Sequence, residues 1–186
     1  MSKELLLALK LIAHSEGRKD KAYQDDQGIW TIGVGTNMEG VNLGRDEKAA
    51  IVQEAIAADA GQFVVDESAI VYRIDLAEYG ISRRLQDNLL MNDLVSAHHD
   101  LEMFRWYESL GTYQKVAVIC LRYWLGPTRF RAFKKTIAYL ESGDTTSAAD
   151  EMLDSQAGRR YRTRMLRLRY LMLNNEPSPP MLAIFA

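Results

Sequence analysis

The chain has 186 residues, 23 Lys and Arg against 25 Asp and Glu, and 47% hydrophobic residues, ordinary globular values that exclude a disordered or fibrous chain. Its single cysteine, Cys120, sits in the apolar run Val116-Ala-Val-Ile-Cys-Leu121, which excludes a disulfide framework and reads as a small buried hydrophobe. His14, His98 and His99, with one cysteine, lack the spacing of zinc ligands, so no zinc site is expected.

In chain order, Ser2 is placed to cap a first helix that runs to about residue 15. Lys10 interrupts its apolar run and Glu16 ends it, far short of the roughly 20 residues that span a bilayer. No small-residue cleavage site follows, so the expectation is a buried helix in a protein made in the cytoplasm without a signal peptide and not inserted in a membrane. After Gly17 the period changes. Residues 21–24, the turn Asp25-Asp-Gln-Gly28, and residues 29–34 read as strand, turn, strand. Gly28 permits the turn, while Gly33 and Gly35 let something approach the backbone closely. Such a hairpin is marginal alone and must lean on helices. Residues 44–60 are helical in composition, and residues 61–80 show no clear period.

Ser82 then caps a long helix to about Phe104, with Leu85, Leu89, Leu94, Ala97, Leu101 and Phe104 along one stripe. Helices are expected at 112–125, stopped by Gly126-Pro127; at 129–142, stopped by Gly143; and at 145–155 and 160–173. The segment Glu176-Pro-Ser-Pro-Pro180 breaks structure, and Met181-Leu-Ala-Ile-Phe185 docks back on the body. Charge is uneven: residues 1–102 hold 10 basic and 18 acidic side chains, residues 103–186 hold 13 and 7. Arg159, Arg160, Arg162, Arg164, Arg167 and Arg169 concentrate the basic half, a cluster suited either to an anionic polymer or to a solvated face with partners in its own chain.

The chemistry concentrates in residues 16–36. Glu16 closes the apolar helix, Asp25 follows nine positions on beside the turn, and Thr31 six further on opens Thr31-Ile-Gly-Val-Gly35. Two carboxylates at one site suit glycoside hydrolysis, in which one carboxylic acid protonates the leaving oxygen and the other acts on the opposite face of the sugar.

This order resembles the signature of the phage-type lysozymes, glycoside hydrolase family 24: Glu, eight residues, Asp, five residues, Thr, then Ile-Gly-x-Gly. Glu16, Asp25 and Thr31 match it position for position, and the likeness extends diffusely over residues 2–173. The resemblance implies an α+β, predominantly helical, two-lobed lysozyme-like fold in one domain over 1–186. A small hairpin lobe would cover about 16–80, a helical lobe 1–15 with 105–175, and a linking helix about 82–104. It implies a peptidoglycan hydrolase that cleaves the β-1,4 bond between N-acetylmuramic acid and N-acetylglucosamine by inversion, for phage-driven lysis or wall penetration. Glu16 would be the acid, with Asp25 and Thr31 holding the water; Asp26 falls outside the spacing and is assigned to the turn. Tyr23, Trp30, Gly33, Thr36, Arg160 and Arg162 are the candidate substrate contacts. The resemblance implies neither a metal nor an organic cofactor, and the expected partner is bacterial peptidoglycan met by a monomer, with no nucleic acid. Lytic transglycosylase or chitinase-like action, and a non-catalytic role as a wall-binding or virion structural protein, are the alternatives.

The chain departs from the family at three places. Thr36 stands where many relatives have histidine. Asp154-Ser-Gln-Ala-Gly-Arg-Arg-Tyr161 lacks the tryptophan and proline of the corresponding family segment, and residues 40–80 have no clear counterpart.

Overall fold

Leu5, Leu7, Ala8, Leu11 and Ile12 recur at three- and four-residue intervals, and these side chains are the buried face of the first helix, α1 (Lys3–Glu16). The Ser2 hydroxyl accepts from the Leu5 N–H at 3.4 Å, satisfying one of the donors that a helix start leaves open. In the computed structural model, residues 2–25, 27–38, 47, 50, 51, 54 and 80–186 are described. Asp26 and nearly all of the expected 44–60 helix and the 61–80 stretch lie outside the described residues, although Glu47, Ala50, Ile51 and Glu54 are helical.

The chain divides into two compact units, Glu16–Asp93 and a second that joins Met1–Ser15 to Leu94–Ala186. In the first, β1 (Lys19–Gln24), β2 (Trp30–Gly33) and β3 (Thr36–Asn37) form an antiparallel sheet in that order. Tyr23 lies opposite Thr31, and Thr31 opposite Asn37. The third strand extends the sheet beyond the two strands that the alternating pattern predicts; Gly35, at φ +81°, makes the turn into it. Ala22, Ile32, Met38, Ile51, Ile81, Leu85 and Leu89 form the core, with Trp30 and Ala50 packed against it. Ile32, Ile51 and Leu89 are essentially sealed. At about 1.5–3 kcal/mol for each side chain fully buried, they supply what so small a sheet cannot supply by pairing alone.

Leu85 and Leu89 come from α2 (Arg83–Glu102), which Ser82 caps by accepting from the Leu85 N–H at 3.2 Å. Glu54 secures that cap, accepting from the Ser82 N–H at 2.6 Å and from its hydroxyl at 2.8 Å.

In the second unit, Leu94, Ala97 and Leu101 of α2 are fully buried, as the predicted stripe requires. The helices α3 (Arg105–Ser109), α4 (Thr112–Arg131), α5 (Lys134–Glu141), α6 (Thr145–Asp154), α7 (Gln156–Arg160), α8 (Arg162–Asn174) and α9 (Pro179–Phe185) complete it. The run Val116–Leu121 is the buried centre of α4, and Cys120 lies wholly within it, its thiol pushed well above the usual range by burial. Arg122, at the end of that run, donates to Asp100 Oδ2 from Nε (2.9 Å) and Nη2 (2.5 Å), so the cation enters the core with its counter-ion.

Three boundaries differ from expectation. The helix predicted over 129–142 is broken at Ala132–Phe133, so Arg129 and Arg131 end α4 beyond the kink at Gly126 (φ +70°). The segment read as running 160–173 is split into α7 and α8 at Tyr161. Pro179 and Pro180 open α9 rather than break structure, because proline in the first turn of a helix forfeits no hydrogen bond. The tail does dock: Met181 is buried, and the Lys10 ammonium donates to the Phe185 carbonyl at 2.9 Å. Among the described residues no helix is long and apolar enough to cross a membrane.

Candidate active site

Glu16 is the last residue of α1, and Gly17, at φ +74°, turns the chain out of the helix in the left-handed conformation that glycine tolerates. Arg18 then donates from Nη2 to Asp87 Oδ1 at 2.5 Å, fixing the approach to the hairpin against α2. Between Lys19 and Tyr23 the pairing of β1 with β2 shifts register, four residues of β1 spanning two of β2.

Asp25 is held by the turn it forms. Its Oδ1 accepts from the Gln27 N–H at 2.8 Å and from the Ile29 N–H at 2.9 Å. Its own N–H donates to the Ile29 carbonyl at 3.0 Å, and its carbonyl accepts from the Gly28 N–H at 3.0 Å. Both of these side-chain bonds fall on Oδ1, and among the described residues none falls on Oδ2. Gly28, at φ +77°, makes this closure possible.

Thr31 is 4% exposed, and its hydroxyl donates to the Ile29 carbonyl at 3.1 Å. Its hydrogen is thereby committed, and the oxygen offers lone pairs to any further partner. Opposite it, Tyr23 is half-buried, and its phenol is held above the usual range by burial first, then by the charges of Glu16 and Asp25. One phenol thus feels both carboxylates. Glu16, Tyr23, Asp25 and Thr31 all belong to the Glu16–Asp93 unit, with Tyr23 paired to Thr31 across the sheet and in the field of both carboxylates.

The other candidate substrate contacts are placed differently. Trp30 is half-buried against the apolar core. Gly33 is buried at φ +68°, and what comes close to it is a protein side chain, since a Cβ there would sit 3.4 Å from Gln86 Cγ. Thr36 is 4% exposed, and its hydroxyl has no hydrogen-bond partner among the described residues. Arg160 and Arg162 are exposed residues of the other unit, the Arg160 guanidinium lying 5.3 Å from the Tyr161 ring. Tyr23, another candidate substrate contact, has the Lys19 ammonium 3.8 Å from its ring centroid. Sequence reasoning passed over Lys19, and also Ile29, whose contribution is made entirely by its backbone. Among the described residues no group of His, Cys, Asp or Glu is arranged to hold a metal ion.

No curated protein matches the chain. The model of the phage lysozyme family matches residues 13–169, a span that takes in Glu16, Asp25 and Thr31 and continues into α8. A match of that extent, over a predominantly helical chain with a small antiparallel sheet, shows that the chain belongs to the phage lysozyme family, whose glycosidases hydrolyse peptidoglycan.

Proposed function

We propose that the chain is an inverting muramidase that cleaves the β-1,4 bond between N-acetylmuramic acid and N-acetylglucosamine. Glu16 donates its proton to the glycosidic oxygen as the bond breaks. Asp25, through Oδ2, takes a proton from a water on the opposite face of the sugar, and its negative charge stabilises the oxocarbenium-like transition state. Thr31 accepts the water's second hydrogen, so that the water's lone pair points at the anomeric carbon. The single observation carrying this reading is the shared anchoring of Asp25 and Thr31 on Ile29, which offers a fixed base and a fixed acceptor for one water.

The same reading makes the protein a product of the host cytoplasm that reaches the wall after release, or one carried in the virion, and it acts as a monomer. Incubation with purified peptidoglycan, followed by mass spectrometry of the fragments, tests the bond assigned. Disaccharide-peptides ending in reducing N-acetylmuramic acid are expected. Fragments ending in reducing N-acetylglucosamine, or no fragments at all, would overturn the assignment.

A further inference from the structure

In a straight strand, residues four apart are separated by about 13 Å at roughly 3.3 Å per residue, so a lysine and a tyrosine at that spacing do not ordinarily meet. Here the register shift between Lys19 and Tyr23 re-aims β1, and the Lys19 ammonium comes to lie 3.8 Å from the Tyr23 ring centroid. Lys19 is exposed, and among the described residues no carboxylate pairs with it. Tyr23 is the residue opposite Thr31. The hairpin therefore holds, on the residue that pairs with Thr31, a cation that no carboxylate among the described residues neutralises.

A cation so placed acts on a charged neighbour of the bond to be cut. The sugars carry no net charge once the lactyl group is amide-linked, whereas the peptide stems of the wall polymer carry free carboxylates next to alternate rings. We propose that Lys19 is a specificity-determining residue that receives a stem carboxylate, which makes the enzyme favour peptide-bearing wall glycan over uncharged glycans of the same linkage. This rests on the reading of wall glycan as substrate.

The test uses binding, so that it does not depend on turnover. The Glu16→Gln protein and the Glu16→Gln/Lys19→Met double variant are sedimented with three preparations of wall sacculi at low salt. These are native sacculi, sacculi stripped of phosphate polymers by hydrofluoric acid, and sacculi whose carboxyl groups have been amidated. Exposed charge pairs are modest, so the Lys19 change is expected to weaken binding to native sacculi about two- to fivefold. The loss should persist on stripped sacculi, vanish on amidated ones, and shrink as salt is added. A Lys19→Arg variant should restore binding.

Equal binding of the two proteins to native sacculi would overturn the proposal, as would a loss that persists after amidation. A loss that disappears on phosphate stripping would assign Lys19 to phosphate and also overturn it. Failure of the hydrolytic reading shows separately, as absence of cleavage by the protein with Glu16 intact.

Discussion

Asp25 and Thr31 are tied to one residue: the Ile29 N–H donates to the Asp25 carboxylate at 2.9 Å, and the Ile29 carbonyl accepts the Thr31 hydroxyl at 3.1 Å. Because one peptide unit lies on each side of Ile29, the Asp25 carboxylate and the Thr31 hydroxyl are held to the same short turn. Small displacements in an active site cost large factors in rate, so under the proposed mechanism this local closure would keep the base and the water acceptor in register.

Replacing Glu16 by glutamine keeps shape and removes the transferable proton. Clearing of wall suspensions should fall by about 10²–10⁴-fold, the usual contribution of a general acid, with circular dichroism unchanged. Retention of most of the activity would remove Glu16 from the role of acid.

Asp25→Asn is a sharper test, because the amide oxygen can still accept from Gln27 and Ile29 while the charge is lost. Turnover should collapse with the melting temperature nearly unchanged. Asp26→Asn should be mild, since the motif spacing assigns Asp26 to the turn and turns accept asparagine. The reverse ranking, read from initial rates, would mean that the motif has been aligned one residue out.

Thr31→Val is nearly isosteric and suits a strand, so the sheet should form. It removes the hydroxyl and with it the acceptor for the water, and kcat should drop more than KM rises. A change confined to KM would make Thr31 a binding residue instead.

The legible part of the site was its local part. Glu16, Asp25 and Thr31 lie within one helix end, one turn and one strand, so fixed spacing carries their arrangement. Contacts between distant segments left no such trace. Arg18 meets Asp87 sixty-nine residues on, and Gln86 packs on Gly33, a glycine that sequence alone assigned to an approaching substrate. The register shift between Lys19 and Tyr23, where the lysine lies over the tyrosine ring, interrupts the regular pairing on which strand reading depends. For the helices, the α2 stripe was plain because its apolar residues keep a regular period. The break at Ala132–Phe133 was not, because neither residue is a strong helix breaker.

A pH effect is expected in the helical unit. Asp144 caps α6, and its carboxyl is held below the usual range, first by its hydrogen bonds with Ser147. A carboxyl with a lowered folded-state pKa stabilises the fold above its unfolded value, about 3.9, and that contribution is lost as pH falls through the folded value. Asp144→Asn retains a capping oxygen without the titration. Melting temperatures measured from pH 6 to pH 2 should therefore fall less steeply below about pH 4 in the variant. Parallel curves would show that the cap's charge contributes nothing.

The stereochemistry of the product bears most directly on the central claim. A retaining enzyme would use Asp25 as a nucleophile with the two carboxyl groups about 5–5.5 Å apart, whereas an inverting one keeps them about 6.5–9.5 Å apart to admit water. Proton NMR of the first-formed reducing ends separates the two before mutarotation blurs them. Water held between Asp25 and Thr31 predicts an initial α-anomer from the β-linked glycan; an initial β-anomer, or a 1,6-anhydro end, would contradict it.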